Sequence, residues 1–212
     1  MLIDYFTFNP FSENTYVVSD ESSECVIIDP GCHSTEEKKL LLEFIQNKKL
    51  RPVRLLNTHC HIDHVLGNRF VSDTFKLKLE MNKLDIPVLH SLSMTSKMYG
   101  IQSDPSPEPE VFLDEGSLVN FGNSTLEILF TPGHSPGSIV FYNRKEKFAI
   151  SGDVLFLKSI GRYDFPGGDY ETLMNSIRMK LFLLDDDTKI YPGHGPATTI
   201  GFEKTNNPFL SS

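Results

Sequence analysis

The stretch Thr58-His59-Cys60-His61-Ile62-Asp63-His64 places four potential metal ligands within six residues. Neutral imidazoles suit zinc or iron, and the carboxylate of Asp63 belongs to the same ligand set. If the segment leaves a strand, His59 and His61 stand two residues apart on extended backbone and point the same way. Asp63 and His64 then reach a second point as the chain turns toward a following helix. One loop thereby supplies two neighbouring cation positions. A buried His or Asp needs a partner, and a shared cation supplies one.

Two further histidines occupy loops of matching character. Thr131-Pro132-Gly133-His134-Ser135-Pro136-Gly137 and Tyr191-Pro192-Gly193-His194-Gly195-Pro196 each follow a strand, and Pro with Gly fixes a tight backbone that presents the histidine. Between them, Ile150-Ser151-Gly152-Asp153 ends a strand on a carboxylate. Each of these alone reads as a turn. Together, five histidines (59, 61, 64, 134 and 194) and two aspartates (63 and 153) at strand ends make a two-metal ligand set. Cys60 alternates away from its neighbours on extended backbone and reads as a packed side chain. His33 and His90 lack ligand neighbours and read as structural or surface groups.

The elements that must position these residues follow from pattern. Leu2 to Thr7, Thr15 to Ser19 and Glu24 to Ile28 are short β-branched or aromatic runs bounded by turn signals. Ser34 and Glu37 form a capping box ahead of a helix whose apolar face is Leu40, Leu41, Phe44 and Ile45. Pro52 to Leu56 is a strand running into the first histidine cluster. Phe70 to Leu79 reads as helical, Ile86 to Leu89 as a short strand, and Gln102 to Pro109 as a loop. Strands resume at Thr125 to Phe130, Ser138 to Tyr142 and Phe148 to Ser151. Leu173, Ile177 and Leu181 mark an amphipathic helix between Asp169 and Leu184, and Lys189 to Tyr191 is a last strand. With no linker or repeat, residues 1–212 are expected to form one layered α/β or α+β domain.

Composition narrows the function classes. Hydrophobic residues make up 39% and charged residues 23%, as in ordinary globular chains. The formal net charge of −8 repels phosphate backbones and anionic lipid, so neither nucleic acid nor a membrane is expected as a partner. No apolar run approaches the ~20 residues that span a bilayer, and the opening residues lack a signal-peptide pattern. Three cysteines are too few for a disulfide scaffold, which points to the cytoplasm.

His-x-His-x-Asp-His followed by Pro-Gly-His, Gly-Asp and Gly-His, in this order, resembles the metallo-β-lactamase fold superfamily, specifically its glyoxalase II-like hydrolases. The likeness runs from the opening strands to Pro208-Phe209. It implies a four-layer αββα sandwich of two mixed sheets with metals at one edge. By position, His59, His61 and His134 would hold one metal, Asp63, His64 and His194 a second, and Asp153 would bridge them. Asp29, in Ile-Ile-Asp-Pro-Gly, matches a position that supports the metal loops by hydrogen bonds. Arg162 matches a basic position that binds the glutathione carboxylate in glyoxalase II enzymes, although Asp164 replaces the family's Tyr two residues on. The C-terminal helical domain of those enzymes has no counterpart here, so the chain is similar to the compact bacterial type.

The implied function is a dinuclear hydrolase for a small (thio)ester such as S-lactoylglutathione. Two divalent metals, Zn²⁺ foremost with Fe or Mn possible, would hold an activated hydroxide between them. The alternative is a persulfide dioxygenase with one Fe(II) on His59, His134 and Asp153, the facial-triad arrangement. A non-catalytic metal-binding domain is the third reading; a complete ligand set with an open coordination position argues against it.

Overall fold

The computed structural model describes residues 1–210. Residues 211 and 212, the end of the expected domain, lie outside the described residues. Strands β1 (Leu2–Phe8), β2 (Glu13–Ser19) and β3 (Glu24–Ile28) form an antiparallel meander. Helix α1 (Thr35–Asn47) starts on the expected capping box, the Ser34 hydroxyl accepting from the Glu37 amide and the Glu37 carboxylate from the Ser34 amide. Strand β4 (Arg51–Leu56) then pairs with β3 in parallel. Helices α2 (Ile62–Val65) and α3 (Asn68–Phe75) lead to β5 (Leu79–Met81), and α4 (Ile86–His90) and α5 (Leu92–Tyr99) to β6 (Pro109–Phe112). These strands make a first sheet in the order β1-β2-β3-β4-β5-β6.

The second half opens with β7 (Leu118–Phe121), β8 (Ser124–Phe130), β9 (Ile139–Asn143) and β10 (Phe148–Gly152). A small hairpin of β11 (Leu155–Phe156) and β12 (Ser159–Ile160) precedes α6 (Tyr170–Met179), β13 (Lys189–Pro192), β14 (Thr198–Thr199) and α7 (Ile200–Asn206). The second sheet has the order β14-β13-β10-β9-β8-β7, with β10 and β13 parallel.

Alternation along the strands sets the layers. Tyr16, Val18, Val26 and Ile28 of the first sheet meet Ile139, Phe141, Phe148 and Ile150 of the second in a buried core between the sheets. Their neighbours point outward, as period-two side chains must. Val17, Cys25 and Ile27 pack with Leu41 and Ile45 of α1. Val140, Tyr142 and Ala149 pack with Leu173 and Ile177 of α6. Both faces of each sheet are thus covered, and the architecture is the expected αββα sandwich. No described helix is long and apolar enough to cross a membrane.

Several local expectations are corrected. Ile86 to Leu89 is helical rather than a strand: Pro87 sits in the first turn of α4, where its missing amide costs nothing, whereas a strand within a sheet would lose a donor. The helix expected over Phe70 to Leu79 ends at Phe75, because Lys76 turns left-handed (φ 59°) and Leu79 pairs with Leu55 of β4. The helix expected between Asp169 and Leu184 closes at Met179. Its amide ladder starts on the Asp169 side chain, which accepts from Thr172, and it gives way to a short 3₁₀ turn at Leu181–Leu183.

Candidate metal centre

The two sheets bring the candidate ligands to one edge. His59 and His61 follow β4, Asp63 and His64 lie in α2, His134 follows β8, Asp153 follows β10, and His194 follows β13. His134 Nε2 lies 3.2 Å from His59 Nε2 and 2.8 Å from His61 Nδ1. On the other side, Asp63 Oδ2 lies 3.0 Å from His194 Nε2 and 3.6 Å from His64 Nε2. Within each of these two groups the ligand atoms fall inside 4.8 Å of one another. Asp153 stands between them. Its Oδ2 is 3.6 Å from His134 Nε2 and 3.5 Å from His194 Nε2, and its Oδ1 is 3.5 Å from His64 Nε2.

The far side of each imidazole explains which nitrogen is left to face inward. His134 Nδ1–H donates to the Arg162 carbonyl (2.7 Å), and His194 Nδ1–H donates to the Ser12 carbonyl (3.1 Å). His64 Nδ1–H donates to Asp29 Oδ2 at 3.0 Å. The Thr58 hydroxyl donates to the same carboxylate (2.6 Å), so its lone pair accepts from His59 Nδ1–H at 3.1 Å. Four rings therefore turn their Nε2 atoms toward the cluster. Lone pairs 3.2 Å apart, or aimed at carboxylate oxygens, repel unless a cation or proton lies between them. Among the described residues, the buried His64 Nε2 and Asp153 Oδ1 have no hydrogen-bond partner, a state that costs free energy when nothing compensates it. Gly193 keeps the space open: a Cβ there would fall 2.1 Å from Asp153 Oδ1 and 2.7 Å from His64 Cε1. Crowded imidazoles, orphaned atoms and the glycine cradle all fit divalent cations.

Burial and charge pull the histidines in opposite directions. Burial drives His59 well below the usual imidazole range and takes His61 down to about 3, with the neighbouring His134 adding to it. Burial opposes a charge on His64 too, but Asp63, Asp153 and Asp29 together hold its pKa well above the ordinary value. His194 is raised against its burial by its hydrogen bond to Asp63 and by Asp153. The raised pair holds its protons to higher pH than ordinary imidazoles do, and a cation binding there competes with those protons. Titrating zinc into apoprotein at pH 7 in weak buffer is expected to release protons, and the release should shrink as the starting pH rises. A pH that stays flat to saturation contradicts this.

Asp29, read from the sequence as a support for the metal loops, is buried beside two of the candidate ligands. It accepts from the Thr58 amide (2.7 Å) and hydroxyl and from His64, and so orients two rings at once. Asp85 has the same character and was not read from the sequence. It is buried, and it accepts from the Cys60 amide (2.7 Å), the Ser135 hydroxyl (2.6 Å) and the Gly137 amide (2.5 Å). Asp85 thereby ties the His59–His61 loop to the His134 loop. Asp85→Ala strands three buried donors, a loss of about 3 kcal/mol. That loss should lower Tm by about 8 °C and zinc affinity by about 10-fold; thermal unfolding and zinc titration measure both, and an unchanged Tm removes the tie. Asn14 and Tyr16 of β2 were missed as well. The Asn14 amide donates to the Pro192 and Gly195 carbonyls, and the Tyr16 hydroxyl to Pro192, which fixes the His194 loop.

The remaining candidates lie apart from the cluster. His33 Nε2 meets the Gln102 carbonyl and His90 meets Glu108, both at exposed positions. The Cys60 side chain contacts Met81, and burial pushes its thiol well above the usual range. Arg162 lies at the rim of the cavity above the ligands, its guanidinium paired with Asp164 (3.0 and 2.9 Å) and stacked 4.1 Å from the Phe165 ring centre.

Residues 8–194 match the sequence profile of the Metallo-beta-lactamase superfamily. The chain belongs to this family. It is 39% identical to the hydroxyacylglutathione hydrolase GloC of Haemophilus influenzae, covering 100% of this chain and 99% of that one. The crystal structure of BLEG-1 B3 metallo-beta-lactamase is similar with a TM-score of 0.91 and 35% identity, over 100% of both chains. TTHA1623 in a di-iron-bound form is similar with a TM-score of 0.88 and 37% identity, over 98% of this chain and 100% of that one. Membership of this superfamily implies divalent-metal binding, the hydrolase named among its relatives supports a metallo-hydrolase, and the His and Asp groups just described are the candidate ligands.

Proposed function

We propose that the protein is a glyoxalase II-like hydrolase that cleaves a small thioester with two divalent cations. The observation that carries this reading is the convergence of two separate ligand groups with Asp153 between them. His59, His61 and His134 would hold one cation, Asp63, His64 and His194 the other, and Asp153 both. Bound there, the cations supply Lewis acidity toward a carbonyl oxygen and a water acidic enough to serve as nucleophile near neutral pH. The chain's own contribution is positioning and charge. Five imidazoles bring no charge and two carboxylates bring −2, so the donor set under-neutralises a pair of dications and favours an anionic transition state. No protein nucleophile is required: Cys60 is buried and its thiol is held protonated.

A cavity of about 1080 Å³ opens onto His61, Asp63, His134, Asp153 and His194. Such access is what a catalytic site needs and a closed structural site lacks. Zinc is the proposed metal, and the di-iron state of a similar protein makes iron the first competitor. Three unpaired cysteines support a cytoplasmic location, and the acidic balance supports a small-molecule partner over nucleic acid or a membrane.

The test is metal content per chain combined with assays on S-lactoylglutathione and on glutathione persulfide with oxygen monitored. Two metals and thioester cleavage, lost on chelation and restored by zinc, are expected. One iron with oxygen uptake would replace this reading with the mononuclear dioxygenase on His59, His134 and Asp153.

A further inference from the structure

The cavity has two unlike surfaces. Its floor is the polar ligand cluster. Its walls are apolar: Leu84 just before α4, Val88 of α4 and Met94 and Met98 of α5 line it, as do Phe156 and Leu157 of the β11–β12 hairpin. Met94 and Met98 keep 72% and 73% of their surface in water. Large apolar side chains exposed together beside a reactive site mark a surface that a ligand covers, and methionines adapt to ligands of varied shape. Arg162 is the one Lys or Arg among the described residues lining the cavity, and its charge is matched by Asp164 at hydrogen-bond distance. A carboxylate reaching for this guanidinium meets a second carboxylate. The volume is also at the upper end for sites that enclose a drug-sized ligand, room for an acyl group and its leaving thiol together.

The geometry points to a substrate whose reacting carbonyl carries an apolar substituent several carbons long, recognised by burial against the methionine-lined wall rather than through carboxylates on Arg162. This inference rests on the hydrolase reading for its reacting carbonyl, but the wall it names binds whether or not turnover follows. The apolar substituent can belong to the acyl group or to the leaving thiol, and the assay separates the two.

The experiment has a binding arm and a turnover arm, both on zinc-loaded protein. Methyl ketones of three to nine carbons carry the carbonyl but no leaving group, and their binding is followed by methionine-methyl NMR. Each added methylene is expected to tighten Kd by on the order of 3-fold, with the Met94 and Met98 signals shifting. Met98→Glu should flatten that gradient, while Met179→Glu on α6, outside the cavity, should keep it. In the turnover arm, one series varies the acyl chain on a fixed neutral thiol and the other varies the thiol on a fixed acetyl group. The series whose kcat/KM climbs with length identifies the apolar side. A Kd independent of chain length overturns the inference, as does a preference for S-lactoylglutathione whose KM rises in Arg162→Ala. If the ketone gradient holds and no thioester is cleaved, the wall stands and the proposed reaction falls.

Discussion

Asp153→Ala is expected to lower hydrolysis by about 1000-fold or more and to empty both cation positions together. Asp153 reaches toward both groups, with Oδ2 near His134 and His194 and Oδ1 near His64. Burial would raise its pKa, yet His64, His134 and His194 keep it below the ordinary carboxylate value, so the group is an anion ready to ligate. Removing it deletes half of the carboxylate charge and the shared donor. Two dications at the 3.5–4 Å separation of dinuclear sites would then repel each other across a gap with only imidazoles and Asp63 to hold them. Metal analysis beside kcat reads the outcome. Two metals retained per chain in Asp153→Ala would show that Asp153 serves one position at most.

The second large effect is expected at Asp29, which stands behind His59 and His64. Asp29→Ala leaves the Thr58 amide, the Thr58 hydroxyl and His64 Nδ1–H without their acceptor in a buried setting. Stability should fall by about 3 to 4 kcal/mol, part of it because Asp29 has φ +50°, which Ala adopts poorly. Asp29→Asn separates orientation from folding. Asn tolerates the left-handed backbone but replaces one acceptor oxygen with an NH₂ that opposes the Thr58 or His64 donor. Zinc affinity should drop about 10- to 100-fold while the fold survives. An Asp29→Asn protein that binds zinc like the parent would remove the proposed control over His59 and His64.

The candidate ligands are legible in the sequence because the chemistry is local. Four ligands sit within six residues, and His134 and His194 sit in Pro-Gly-His turns whose backbone is set by the residues beside them. Strand alternation places Val17 toward α1 and Tyr16 and Val18 toward the other sheet, but all three are apolar, so only the packed layers distinguish the two faces. The supports were hidden because their partners are distant. Asp85 serves Cys60, Ser135 and Gly137, which lie 25, 50 and 52 positions away, so nothing near Asp85 marks it. The apolar run at Ile86 to Leu89 was too short for its period to separate strand from helix, and Pro87 decided it. The helix α5, with Ser, Thr and Met in its eight residues, offers little amphipathic contrast. Yet it builds the wall that gives the cavity its apolar side. Arg162 pairs with Asp164 two residues on, a contact that its role as a candidate substrate residue did not announce.

Anomalous diffraction at the zinc edge from zinc-loaded crystals tests the central claim most directly. Two peaks about 3.5–4 Å apart are expected, one among His59, His61 and His134, the other among Asp63, His64 and His194, with Asp153 reaching both. Ordered imidazoles at this edge of the sandwich with no anomalous peak among them would contradict it.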